Sequence, residues 1–143
     1  MTDALICDTS GLLAALDRAD PDHQACLDVL SAHPGPFVLS PLVLAELDHL
    51  VRRRLGPDEA RLLADDVANG AYVLAPLDAG DVARCVELDR GYADLGLGLA
   101  DASLVVLAER SRTRSLLTLD ERHLRAVRPL QGGAMELLPA DAQ

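Results

Sequence analysis

The sequence has no lysine and no tryptophan, and all 13 of its basic residues are arginine. Aromatic residues make up only 2% of it. Phe37, Tyr72 and Tyr92 are too few and too scattered to stack successive bases, which argues against a passive single-strand-binding module. No apolar run approaches the ~18 residues of a membrane-spanning helix. The first residues carry Asp3 and Asp8 instead of a basic segment, so no signal peptide is expected and the expected location is the cytoplasm. Cys7, Cys26 and Cys85 are an odd number with no close pair. That excludes a disulfide framework or a zinc knuckle and leaves small buried apolar residues in a reduced compartment.

What is present points to one soluble domain spanning residues 1–143, 50% hydrophobic and 25% charged. Its core is built from Leu, Val and Ala. The formal net charge is −10, so the overall field does not attract nucleic acid. Such a chain suits a cation or a basic protein partner. Nucleic acid could still bind through a local arginine patch and metal ions.

Short apolar runs alternate with helix-like segments. Ala4–Asp8, Pro36–Leu39, Ala71–Leu74, Ser115–Leu119 and Ala134–Leu138 read as strands buried on both faces. Ser40-Pro41 reads as a helix cap followed by proline at the first helical position. Gly56-Pro57-Asp58-Glu59 stops one helix and starts another, and Asn69-Gly70 and Gly91 are further stops. This alternation implies an α/β domain with a mostly parallel sheet, whose sites form beyond the carboxyl ends of the strands.

Four acids stand at apolar boundaries. Asp8 ends the first strand in "LICDTSGLLAAL", and Asp120 ends the fourth in "SLLTLD". Glu46 falls inside the apolar arc of "SPLVLAELDHLVRRRLG", between Leu42 and Leu50, whereas Asp48 and Arg52 keep to the solvated face. Asp101 opens an almost wholly apolar helix in "LGLGLADASLVVLAER". Each has an ordinary alternative. Strand-end aspartates cap turns and helices, Asp101 suits a helix N-terminus, and Glu46 could pair with Arg53. Asp94, in a glycine-rich loop, is a possible fifth acid or a solvated loop charge. Together, four carboxylates at one sheet edge would repel and raise one another's pKa. A divalent cation relieves that, and hard oxygen ligands suit Mg²⁺ or Mn²⁺. The four histidines show no ligand spacing; only His123 stands near one of the acids.

These stretches, with "YADLGLGLADASLVVLAE" and "LLTLDERHL", resemble the PIN-domain ribonucleases, and more narrowly the VapC-type toxins of bacterial toxin–antitoxin pairs. The resemblance runs from Leu5 to about Leu138. It implies a PIN-like three-layer α/β/α sandwich around a central, mostly parallel sheet of about five strands. It implies a metal-dependent endoribonuclease, with Asp8, Glu46, Asp101 and Asp120 as both catalytic acids and metal ligands. Asp94 matches a less regular acidic position of the toxin branch. Thr9, followed by Ser10, matches the hydroxyl after the first acid, and Thr118 the hydroxyl before the last. Partners implied are an RNA substrate, a cognate antitoxin and a second copy in a homodimer.

On this reading water attacks phosphorus in line and leaves 5′-phosphate and 3′-hydroxyl ends. Thr9 and Ser10 hold carboxylates in place. Arg122 and Arg125, just past Asp120, are the expected phosphate contacts, with Arg52 to Arg54 and Arg110 to Arg114 as other basic groups. Two other aspartate-based α/β folds fit poorly. A haloacid-dehalogenase-type site needs a second Asp at the position of Ser10, and a receiver domain relies on a lysine. The remaining alternative is a weakly catalytic binding module whose acidic cleft mainly engages a basic antitoxin.

Overall fold

Leu5–Cys7 is apolar at every position, so neither of its faces can be offered to water, and all three residues are fully buried. This is β1 in the computed structural model, which describes residues 2–143. It pairs in parallel with β2 (Phe37–Leu39) on one side and β4 (Ser115–Leu117) on the other. β3 (Val73–Leu74) and β5 (Glu136–Leu138) complete a five-stranded parallel sheet in the order β3-β2-β1-β4-β5. All five expected strands exist, each shorter than its apolar run. β3 departs from expectation in burial. Val73 and Leu74 are about half exposed, because β3 is an edge strand.

Seven helices flank the sheet as an α/β/α sandwich: α1 (Thr9–Leu16), α2 (His23–Ala32), α3 (Pro41–Leu55), α4 (Pro57–Ala68), α5 (Ala79–Gly91), α6 (Gly98–Ser111) and α7 (Glu121–Ala126). A 3₁₀ turn spans Ala93–Leu95. The helix starts follow their punctuation. The Ser40 hydroxyl accepts from the Leu42 N–H with Pro41 at the first helical position, and Gly56 adopts φ 100° between α3 and α4. α6 is the central helix, with Ala102 to Ala108 all buried. Cys7, Cys26 and Cys85 are free and buried, as expected. Among the described residues no helix is long and apolar enough to cross a membrane.

Two features position the site. The chain steps outward from β1 to β2 and β3, then returns to β4 on the other side of β1. The strand order therefore reverses between β1 and β4, and a crevice opens beyond their carboxyl ends. Gly11 lets α1 sit tightly over that seam. A Cβ there would meet Leu117 Cγ at 2.6 Å and Leu117 O at 3.0 Å. Gly11 thus lies inside α1 as a close-approach residue, not in a turn before it. On the opposite side of the crevice, the buried hydroxyls of Ser40 and Ser103 lie 2.8 Å apart and tie the start of α3 to α6.

Candidate active site

The register that pairs Cys7 with Leu117 brings Asp8 beside Thr118, one step past the strand ends. The Asp8 N–H donates to Leu117 O at 2.9 Å, continuing the ladder. The carboxylate is buried and takes three donors. Oδ1 accepts from the Thr9 N–H at 2.7 Å, and Oδ2 accepts from the hydroxyls of Thr118 at 2.7 Å and Ser10 at 3.1 Å. These hydroxyls work twice. Ser10 Oγ accepts from the Leu119 N–H, and Thr118 Oγ1 from the Asp120 N–H, each at 3.0 Å. One network thus fixes Asp8 and the chain leading to Asp120. Ser10 and Thr118 brace as expected, but Thr9 does so through its backbone. Its own hydroxyl is buried without a partner among the described residues.

Asp8, Glu46, Asp101 and Asp120 line one cleft of about 350 Å³, together with Thr9, Ser10, Leu13, Asp20, Leu50, Arg54 and Leu119. Asp120 caps α7, with Oδ1 accepting from the His123 N–H at 3.2 Å. Its Oδ2 lies 2.8 Å from His123 Nδ1, which is also 3.5 Å from Asp101 Oδ2. Asp101 stands in the first turn of α6 and makes no cap hydrogen bond, so capping does not explain it. His123 is the one histidine that the sequence places near an acid, although no ligand spacing marks it. Its signal was there, three residues after Asp120 at the start of a helix, where positions i and i+3 share a face.

Glu46 is exposed, not embedded in a core stripe. The buried face of α3 is Val43, Leu47 and Val51, while Leu42 is 36% exposed and Leu50 half-buried. Glu46, Leu50 and Arg54 instead line the cleft, and Glu46 makes no ion pair with Arg53 or any other described residue. Arg52 pairs with Asp48 on the solvated face, as the pattern predicts.

Two expected groups are not brought in. Asp94 is exposed in the 3₁₀ turn and borders a separate depression with Arg90, Tyr92 and Ala126. It belongs to a separate turn, parted from α6 by Gly96 and Leu97. Arg125 is occupied by Asp141 at 2.7 Å and Glu121 at 2.8 Å, so it is not a free phosphate contact. Arg54, at the cleft itself, and exposed Arg122 make no hydrogen bond among the described residues.

The cleft concentrates negative charge where solvent screens it poorly. Burial pushes Asp101 up to about 6, with the charges of Asp8 and Asp120 adding to it, His123 opposing, and Glu46 adding last. Burial also raises Asp8 against the three hydrogen bonds that favour its ionised form. The Cys7 thiol, buried beside Asp8, is held far above its ordinary value and is inert. A divalent cation fits this arrangement. Donor atoms of Asp101, Asp120 and His123 all lie within 4.8 Å of one another, and Thr9, whose buried hydroxyl has no partner among the described residues, is a cleft residue.

Known proteins share this fold. The model of the PIN domain family matches residues 5–129. The chain is 43% identical over 135 residues to Ribonuclease VapC26 of Mycobacterium tuberculosis, covering 94% of this chain and 100% of that one. Among solved structures, Mycobacterium tuberculosis VapC20, described as a sarcin-ricin loop cleaving toxin, superposes with a TM-score of 0.78 at 18% identity. The match covers 84% of this chain and 92% of that one. A toxin-antitoxin complex from Klebsiella pneumoniae gives a TM-score of 0.67 at 18% identity, over 87% and 92% of the two chains. These two likenesses concern the fold alone.

Proposed function

The chain belongs to the PIN domain family, and from that premise we propose that it is a toxin-type endoribonuclease that hydrolyses RNA with Mg²⁺ or Mn²⁺. The observation that carries this is the convergence of Asp8, Glu46, Asp101 and Asp120 on one cleft at the β1/β4 switch point. The kinship with a named ribonuclease at 43% identity supports the reaction class.

Asp8, Asp101 and Asp120 would hold the ion, and Glu46 lines the same cleft from α3. When bound, the ion supplies Lewis-acid polarisation of the phosphate and a more acidic water. The chain's own groups do the rest. Thr9 N–H, Ser10 and Thr118 keep Asp8 in one orientation, so no reorganisation is needed on binding. Glu46, exposed and unpaired, orients the attacking water and accepts its proton. Arg54, in the cleft, and exposed Arg122, both unpaired among the described residues, are offered to flanking phosphates.

A cognate antitoxin is the proposed protein partner. It is supported by the fold likeness to a protein of a toxin-antitoxin complex and by the acidic cleft, which an antitoxin arginine would complement. The homodimer remains a proposal from family kinship, checked by light scattering.

The test is cleavage of RNA by the purified chain with Mg²⁺ or Mn²⁺, followed by analysis of the ends. We expect 5′-phosphate and 3′-hydroxyl ends, and loss of cleavage with chelator. Cleavage that survives chelation, or that leaves 2′,3′-cyclic phosphate, overturns the proposal.

A further inference from the structure

We infer that His123 is a direct nitrogen ligand of the cleft's metal ion, which makes this site selective for Mn²⁺ over Mg²⁺. The inference rests on the metal-site reading above. It starts from the geometry of one turn. Asp120 caps α7 and His123 is the third residue of that helix, so the His123 N–H reaches back to Asp120 Oδ1 at 3.2 Å. Residues three apart at a helix start share a face, so the imidazole and the carboxylate meet. Nδ1 then lies 2.8 Å from Asp120 Oδ2 and 3.5 Å from Asp101 Oδ2. The ring is part-buried and stands between two acids that come from different elements. No other described trio of His, Cys, Asp and Glu side chains brings its donor atoms this close.

Protonated, Nδ1 donates to Asp120; without that proton the same nitrogen turns a lone pair toward the two carboxylates, and the three donors converge as a ligand set does. The chemistry of the nitrogen then decides the metal. Mg²⁺ is hard, holds its waters and takes oxygen almost exclusively. Imidazole nitrogen favours the later divalent metals, and Mn²⁺ accepts a mixed nitrogen and oxygen set. A site of carboxylates alone would discriminate little between the two ions. One imidazole added to those acids tips it toward Mn²⁺.

The other histidines are not candidates. His23 Nδ1 lies 2.9 Å from Ala14 O, and His33 Nδ1 accepts from the Gly35 N–H at 2.9 Å. His49 is exposed on α3.

The test loads the full chain with Mn²⁺ alone and reads pulsed EPR, which detects ¹⁴N directly bound to the ion. We expect nitrogen modulation in the wild type and none in His123→Gln. The free-Mn²⁺ EPR signal gives affinity, and Mg²⁺ competition gives selectivity. In His123→Gln, Mn²⁺ affinity should fall on the order of tenfold while Mg²⁺ affinity moves much less. Asp101→Asn serves as the control for the carboxylate site. Mn²⁺ bound by the wild type and weakened by Asp101→Asn, but without nitrogen modulation, overturns this inference and leaves the metal-site reading standing. Nitrogen modulation that persists in His123→Gln also overturns it. No binding by wild type overturns both. A wild-type spectrum without nitrogen modulation overturns the inference whatever the variant does, and His123→Asn serves as a second variant should His123→Gln fold poorly.

Discussion

The two walls of the cleft are built on opposite principles. On the β1/β4 side, Asp8 is 6% exposed and holds three hydrogen-bond donors, in a network that also fixes Leu119 and Asp120. On the α3 side, Glu46 is exposed and has no partner, with Leu42 and Arg54 open on the same line of the helix. A buried carboxylate must be satisfied, and only the sheet seam offers enough fixed donors to do so. An exposed carboxylate needs none, and stays free to turn toward a ligand. The first wall is therefore suited to hold an ion in a fixed position. The second is suited to meet what approaches it.

The sharpest way to break this comparison is to neutralise one acid on each wall. Asp8→Asn should lower single-turnover RNA cleavage by more than ~100-fold, beyond what losing an outer partner of a metal site typically costs. Glu46→Gln should cost less, about 10–100-fold, because its role is to orient and not to anchor. Equal losses would mean that the open wall is as much a part of the metal site as the braced one.

The buried and the exposed acids of the cleft should also differ in what their charge costs the fold. Asp101 is raised from 3.8 to about 6 in the folded protein. Its folded form thus binds a proton more tightly than the unfolded chain does. The penalty is absent below pH 3.8 and grows as pH rises through 6, reaching roughly 3 kcal/mol above that. Asp101→Asn should therefore raise the melting temperature of the metal-free protein at pH 7.5 by roughly 6–12 °C. The gain should fade toward pH 4. Glu46→Gln, on the exposed wall, should move stability by no more than ~0.5 kcal/mol at either pH. Thermal melts across this range measure both, and a flat Asp101→Asn profile would contradict the assigned burial and crowding.

Next in size is the brace itself. Thr118→Val keeps the shape but removes the hydroxyl that donates to Asp8 and accepts from the Asp120 N–H. Cleavage should fall about 10–100-fold with little change in KM for RNA, because the variant disturbs a metal-holding carboxylate and not the RNA path. A rise in KM alone would move Thr118 from the braced wall to the binding surface.

The sequence was most informative where burial is two-sided. Five apolar runs gave five strands, and the almost wholly apolar stretch after Asp101 gave the central helix α6. Strand ends are set by the same pattern, so Asp8 and Asp120 were legible as residues of one edge. Periodicity was weaker where a helix is only partly covered. Leu42 and Leu50 made Glu46 look embedded, although the packed stripe is Val43–Leu47–Val51. Apolar residues that line a cleft carry the same letters as those that line a core. Partners in three dimensions were not legible at all. Nothing in "DERHLRAVR" says that Arg125 is taken by Asp141, sixteen positions on, or that His123 turns toward Asp101. The Ser40–Ser103 hydrogen bond that joins the two acid-bearing helices was equally invisible, since each serine alone reads as an ordinary small polar residue.

The smallest expected effect separates the arginines, and it bears on the open wall. Arg54 follows Glu46 by two helical turns, lines the cleft and is unpaired among the described residues, whereas Arg125 is held by two acids. A guanidinium that already has two carboxylates gains little from a phosphate, because it must give up partners as good as the one it acquires. Arg54→Gln should therefore raise KM for RNA several-fold with kcat nearly unchanged. It should also make the logarithmic salt dependence of RNA binding shallower by about one ion. Arg125→Gln should leave both quantities where they are. Filter binding or fluorescence anisotropy across a salt series reads the slopes directly. A shallower slope in Arg125→Gln, with none in Arg54→Gln, would place the RNA along α7 and away from α3. The open wall would then need a different occupant.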